Sequence, residues 1–158
     1  MKVILKALEL IKKVEFVEMA TVDASGEPNS VPKFLLKTEG VSIYLIDYSI
    51  GRTAENLRDN PSVSISFIMM DSLLGYRMNG KAEIIRSGEV YDKCLNEMRE
   101  KAIDLTAKRV VDGVHDDKPI KDTAYETEMS KPILLYKIDI EEGCEISPRG
   151  EIERENAA

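Results

Sequence analysis

Histidine and cysteine are scarce in this chain, and no apolar stretch is long enough to cross a membrane. His115 is the only histidine among 158 residues, which argues against a histidine-rich metal site and against histidine-dependent catalysis. Cys94 and Cys144 are far apart in the sequence and are expected to remain reduced thiols. The N-terminus becomes charged again at Lys6, too early for the apolar centre of a secretion signal. The sequence therefore predicts a cytoplasmic protein with no membrane segment and no metal centre.

A surplus of positive charge is missing as well. Lys and Arg number 22 against 29 Asp and Glu, so the net charge is -7. Proteins that bind nucleic acids take much of their affinity from excess Lys and Arg, so no nucleic-acid partner is expected. With 43% hydrophobic residues the chain can build one core. We expect one domain over residues 1–150, followed by a charged, frayed tail over 151–158.

The hydrophobic pattern predicts a mainly β protein with flanking helices. Apolar residues at helical spacing predict helices over residues 2–14, over 52–59, and from 87 to about 105. Period-two alternation predicts strands near residues 17–22, 30–37, 41–46, 62–69, 76–84 and 133–140. A polar stretch over 107–131 shows no sustained period and is predicted to be a loop. Because tight turns link most strands, the pattern favours a closed or nearly closed antiparallel barrel.

The segment Ser49-Ile50-Gly51-Arg52-Thr53 has the composition of a phosphate site. It stands at the N-terminus of the predicted helix 52–59, where unpaired N–H groups and the helix dipole favour an anion. Arg52 could bind two phosphate oxygens, and Thr53 or Ser49 could donate one further hydrogen bond. The alternative is an ordinary helix start with a solvated arginine.

Five short segments follow one another in an order that is typical of a known family. They are Ala20-Thr21-Val22-Asp23, Gly26-Glu27-Pro28, Val31-Pro32-Lys33-Phe34, the run from Gly51 to Pro61, and Asn79-Gly80-Lys81-Ala82-Glu83. Through them the chain resembles, over about residues 10 to 100, the FMN-binding split-barrel family related to pyridoxamine 5'-phosphate oxidase. The resemblance implies an antiparallel, six-stranded split β-barrel of Greek-key type with flanking α-helices.

The resemblance also implies a flavin site whose residues can be placed on this sequence. The FMN phosphate would meet Arg52 and Thr53, the isoalloxazine ring would meet mainly the backbone of Pro32, Lys33, Phe34 and Leu35, and the ribityl chain would be flanked by Ile46, Asp47, Tyr48 and Ser49. It further implies a homodimer with FMN at the subunit interface. The flavin would transfer hydride or electrons with a small-molecule redox partner such as reduced nicotinamide, and no catalytic side chain is required.

Two departures from the family pattern argue against a true pyridoxamine phosphate oxidase. The chain has no Trp and lacks the Arg-rich C-terminal substrate motif of those enzymes, and Gly75 stands about where they place a flavin-contacting Gln. The substrate therefore stays open. One alternative is a non-catalytic module that binds flavin or another phosphorylated ligand. Another is a relative that binds a deazaflavin or haem, the latter relying on His115.

Lys33 has two interpretations at this stage. Near the pyrimidine edge of the flavin, its charge would stabilise the anionic reduced form. Alternatively, it is a solvent-facing lysine that protects a strand edge.

Overall fold

The computed structural model describes residues 2–48, 50–115 and 134–157. The helices are α1 (Lys2–Leu10, continued by a 3-10 turn at Ile11–Lys13), α2 (Arg52–Asp59) and α3 (Glu89–His115). The strands are β1 (Phe16–Val22), β2 (Pro28–Glu39), β3 (Ser42–Asp47), β4 (Ser62–Met69), β5 (Leu74–Ile85), β6 (Leu134–Ile146) and β7 (Ile152–Asn156). None of the described helices combines the length and the apolar character needed to span a membrane.

The strands form one antiparallel sheet that closes on itself. Its order is β3-β2-β1-β4-β5-β6-β7, and a further pairing of β3 with β6 closes the first six strands into a barrel. The first half of the long β6 pairs with β3 and its second half with β7, so β7 is an additional strand outside the closed ring. The predicted six-stranded antiparallel barrel with flanking helices is confirmed.

Two apolar clusters follow from the alternation of side chains along the strands. The larger fills the barrel interior and includes Met19, Leu45, Ile65, Met78 and Ile138, together with the apolar face of α1. The smaller lies where α3 packs on the opposite face of β2, β3 and β6, and it joins Cys94 and Met98 to Phe34, Leu36, Tyr44, Ile46 and Leu135. Cys94 is therefore a packing residue, and burial raises the pKa of its thiol.

The structure differs from the sequence prediction at two places. α3 continues to His115, so residues 107–115 of the predicted loop are helical, while 116–131 lie outside the described residues. The predicted frayed tail contains β7, which pairs with β6. Asn156 lies opposite Glu142 at one end of this pairing, and Ile152 lies opposite Ile146 at the other. β7 is short and highly charged and is held by backbone pairing with β6, which leaves little hydrophobic periodicity in the sequence.

Glu155 of β7 caps the N-terminus of α1 across the whole length of the chain. Its carboxylate accepts hydrogen bonds from the backbone N–H groups of Lys2, Val3 and Ile4 at 2.7, 2.8 and 3.1 Å. Hydrogen bonds to this carboxylate, among them those from the backbone N–H groups of Ile4 and Lys2, lower the pKa of Glu155 from 4.5 to about 2. The charged form of Glu155 is thus bound more favourably in the folded state.

This cap makes stability depend on pH in a defined window. A carboxyl group whose pKa is depressed by folding stabilises the protein above its unfolded pKa, and that contribution is lost as the pH falls through the folded value. Glu155→Gln should therefore lower the melting temperature at pH 7, and its difference from the wild type should shrink between about pH 4.5 and pH 2. Thermal melts across this range test the prediction, with Glu153→Gln on the same strand as the control. A difference that stays constant with pH would contradict it.

Candidate functional site

β2 is longer than its neighbour β3, and the difference leaves part of one strand edge open. The register between β2 and β3 begins at Phe34–Ile46, whereas β1 pairs with β2 from Phe34 back to Pro28. Within the described ranges, residues 28–33 thus pair with a strand on one side only. We call this segment the open edge of β2. Backbone N–H and C=O groups at such an edge need partners, which a ligand can supply.

The first turn of α2 lies at the beginning of the open edge of β2. The Asn29 side-chain amide donates to Thr53 Oγ1 at 3.2 Å, and the Asn56 amide donates to Thr21 Oγ1 at 3.0 Å. Thr53, Asn56 and Thr21 are buried, so these bonds fix α2 against the ends of β1 and β2. Sequence reasoning missed Asn29, Thr21 and Asn56. A polar Asn56 on the buried side of a short amphipathic helix was the only signal.

Arg52 is the accessible cation at this helix end. Its Nη1 lies 2.9 Å from Glu27 Oε1, and both side chains are more than half exposed. An exposed ion pair of this kind contributes little, so an incoming anion can replace Glu27. Gly51 is the N-cap residue and has no side chain to accept from the first amides of α2. The turn therefore presents a guanidinium and helix N–H groups to an anion.

A surface cleft of about 480 Å³ runs along α2 beside Arg52. Arg58, Ser25 and Asn56 also line it, but so do three acidic residues, Asp23, Glu55 and Asp59. Thr53 faces the interior instead. A phosphate is consequently better placed at the helix N-terminus than deep in this cleft, where carboxylates would repel it.

Lys33 and Asp47 form a buried ion pair inside the barrel. Lys33 Nζ lies 2.5 Å from Asp47 Oδ2, and the Tyr136 hydroxyl donates to the same oxygen at 3.0 Å. Lys33, Asp47 and Tyr136 are 7%, 6% and 0% exposed. Burial, the Asp47 charge and this hydrogen bond raise the pKa of Tyr136, so the phenol remains a neutral donor. The interpretation of Lys33 as a solvent-facing lysine is therefore wrong, because its ammonium group is buried and paired with Asp47.

The predicted site residues come together on adjoining strands, but their side chains point to different places. Pro32 and Arg52 are exposed, whereas Thr53 is buried. The side chains of Lys33, Leu35 and Asp47 face the barrel interior. Those of Phe34, Ile46 and the half-buried Tyr48 belong to the smaller apolar cluster beneath α3. Ser49 lies outside the described residues. A ligand on β2 would consequently meet backbone groups more than side chains.

The fold agrees with a family assignment. The family model described as pyridoxamine 5'-phosphate oxidase matches residues 5–143, which is most of the chain. The protein belongs to this family, and the resemblance predicted from the sequence is confirmed. Curated proteins gave no significant match.

Several solved structures share the fold. HupZ of Group A Streptococcus is 24% identical with a TM-score of 0.65, and the match covers 98% of each chain. A Clostridium acetobutylicum protein related to general stress protein 26 of B. subtilis is 18% identical with a TM-score of 0.65, covering 98% of this chain and 94% of the other. A pyridoxamine 5'-phosphate oxidase-related, FMN-binding protein of Nostoc punctiforme is 15% identical with a TM-score of 0.54, covering 98% and 93%.

Proposed function

We propose that this protein binds FMN and transfers hydride or electrons between small molecules through the bound flavin. The observation that carries the proposal is the open edge of β2, which begins beside the N-terminal turn of α2. An anion-binding turn at one end of a strand edge with available backbone groups suits a mononucleotide with a phosphate at one end and a hydrogen-bonding ring at the other. Membership of the family supports the same cofactor.

The residues of this chain would divide the work of binding. Arg52 and the first amides of α2 attract the phosphate. The buried Thr53, which accepts from Asn29, holds this first turn against β2. Of the residues 32–35 predicted to hold the ring, Pro32 and Lys33 lie on the open edge of β2 and would offer it their backbone groups. The flavin supplies the redox chemistry, so the protein needs no acid, base or nucleophile of its own.

A homodimer is part of the proposal, and an outward apolar row supports it. Ile68, Gly75, Ile146 and Ile152 are aligned across four strands, and Phe16, at the start of β1, is a further exposed apolar residue. The four side chains other than glycine are 39% to 56% exposed. Aligned exposed apolar side chains mark interaction surfaces, and a second copy of the chain would cover this row. A native mass measurement distinguishes a dimer from a monomer.

Arg52→Ala should weaken FMN binding by about 10- to 100-fold, the value of a charge-assisted hydrogen bond of about 1.5–3 kcal/mol. Quenching of FMN fluorescence during titration measures the affinity. Riboflavin has no phosphate, so its affinity should be unchanged in the variant. Arg58→Ala is the matched control. Arg58 lines the same cleft as Arg52 but lies in the last turn of α2, where the helix dipole does not favour an anion, so its loss should have a much smaller effect.

Two outcomes would contradict the proposal. One is wild-type protein that binds neither FMN nor riboflavin, and the other is an Arg52→Ala variant with unchanged FMN affinity. Redox turnover is tested separately by visible spectra of the FMN complex before and after addition of reduced nicotinamide. Bleaching of the flavin band shows reduction by this donor. An unbleached band leaves the binding function in place and excludes reduced nicotinamide as the donor.

A further inference from the structure

Lys101 of α3 is anchored to the backbone of β2 in an unusual way. Its Nζ donates to the carbonyl oxygens of Leu35 and Leu36 at 2.6 and 3.1 Å. In a regular strand, successive carbonyl groups point to opposite sides, so one amine cannot reach both. The pairing of β2 with β3 is irregular between Leu35 and Lys37, and this bulge allows Lys101 to bind both oxygens.

The ammonium group of Lys101 lies in a half-buried, largely apolar place. Its Nζ is 5.2 Å from the centroid of the Phe34 ring, within the range of a cation–π contact. Burial lowers the pKa of Lys101, while the charge of Glu15 raises it. Both hydrogen bonds of Lys101 go to neutral carbonyl groups. This contrasts with Lys33, whose charge is bound by Asp47 on the other face of the same strand. The charge of Lys101 is therefore only weakly compensated locally.

Lys101 and Arg52 stand at opposite ends of the proposed site. Asn29 of β2 contacts Thr53 beside Arg52, and Leu35 contacts Lys101. At a strand rise of about 3.3 Å per residue, residues 29 and 35 are about 20 Å apart. Arg52 is thus near the end of this segment at which the phosphate would bind, and Lys101 is near the end at which the ring would bind.

We propose that Lys101 is a positioning and tuning residue for the bound flavin: its ammonium fixes the bulge of β2 and favours the reduced ring over the oxidised ring. This inference rests on the proposed function. Two-electron reduction of FMN by an external donor, with uptake of one proton, leaves a negative charge on the ring. A nearby cation in a partly desolvated site stabilises that charge and has little effect on the neutral oxidised ring.

Lys101→Gln is the main test, because glutamine can still donate to a carbonyl group but has no charge. We expect affinity for reduced FMN to fall on the order of tenfold relative to oxidised FMN, as for loss of one nearby charge. For a two-electron couple this lowers the midpoint potential by about 30 mV. The potential is measured against a reference dye during anaerobic reduction of the FMN complex, and the two affinities are measured by titration.

Two further variants separate charge from structure. Lys101→Arg keeps the charge and should keep the potential close to that of the wild type. Lys108→Gln removes an exposed charge from the same helix and should leave the potential unchanged. Melting temperatures show how far each variant is destabilised. If Lys101→Gln does not fold, Lys101→Arg remains decisive, because a potential that falls despite the retained charge would overturn the tuning role.

The inference and the proposed function fail in different ways. Wild-type protein that does not bind FMN would overturn the proposed function. Wild-type protein that binds FMN, together with a Lys101→Gln variant that is less stable but has an unchanged potential, would overturn only the inference. Lys101 would then be a structural clamp between α3 and β2.

Discussion

Asp47→Asn should lower the free energy of unfolding by about 3–5 kcal/mol, because it leaves the buried Lys33 ammonium without a counter-charge. Lys33→Met should have an effect of similar size, since it removes the cation that compensates the buried Asp47 carboxylate. Urea unfolding curves measure both values. A surface control is Lys12→Met, which removes the exposed pair of Lys12 with Glu9 and should cost about 1 kcal/mol or less.

The double variant Lys33→Met with Asp47→Asn separates the ion pair from simple packing. Both charges are then absent, and the Tyr136 hydroxyl can still donate to the side-chain oxygen of the new amide. Replacing both members of a buried pair removes the penalty of an isolated charge, so the loss should be well below the sum of the single effects. Additive losses would show that the two side chains act independently, contrary to the geometry.

This ion pair also matters for the position of the proposed site. Asp47 is the last residue of β3, and the chain leads from it directly to Gly51 and Arg52. By holding Lys33 of β2 and Tyr136 of β6, Asp47 fixes the point at which the chain leaves the barrel. The helix start that would receive the phosphate is thereby attached to a rigid part of the sheet.

The sequence was sufficient to place α2 and most strands, for local reasons. Asn60-Pro61 ends α2 where predicted, because proline disfavours helical geometry in the residue before it. The alternation of apolar and polar residues in β4 and β5 was equally clear, since one face of each strand is buried. The prediction of an anion site at Arg52 also rests on a local property of the sequence, an arginine at the start of a helix.

The contacts that define the site are long-range, and the sequence could not supply them. Lys33 has the same alternation as the buried Leu35, yet its inward direction is explained only by Asp47 and Tyr136, which are distant in sequence. The same holds for Lys101, whose partners are backbone oxygens at a bulge with no residue signature. Local patterns therefore located the strands, but pairing between distant segments determined which side chains are available.

Gly80→Ala should be among the most destabilising single substitutions in the barrel. A Cβ at Gly80 would lie 2.1 Å from the Asp139 carbonyl oxygen and 3.0 Å from its carbonyl carbon. These are backbone atoms of β6 at the irregularity between Asn79 and Gly80, so they cannot move away like a flexible side chain. We expect a loss of at least about 3 kcal/mol, which is large for one added methyl group.

Gly75→Ala is the matched control, because it makes the same substitution in the same strand. A Cβ at Gly75 would have Ile146 Cβ at 3.7 Å as its nearest neighbour, an ordinary contact, so stability should change by no more than about 1 kcal/mol. Urea unfolding of both variants tests the pair, and equal effects would contradict the close approach at Gly80. If Gly80→Ala is the more destabilising of the two, the glycine in the segment Asn79-Gly80-Lys81 is explained by the close packing of β6 against β5, and not by contact with a ligand. The flavin hypothesis then depends on α2 and the open edge of β2.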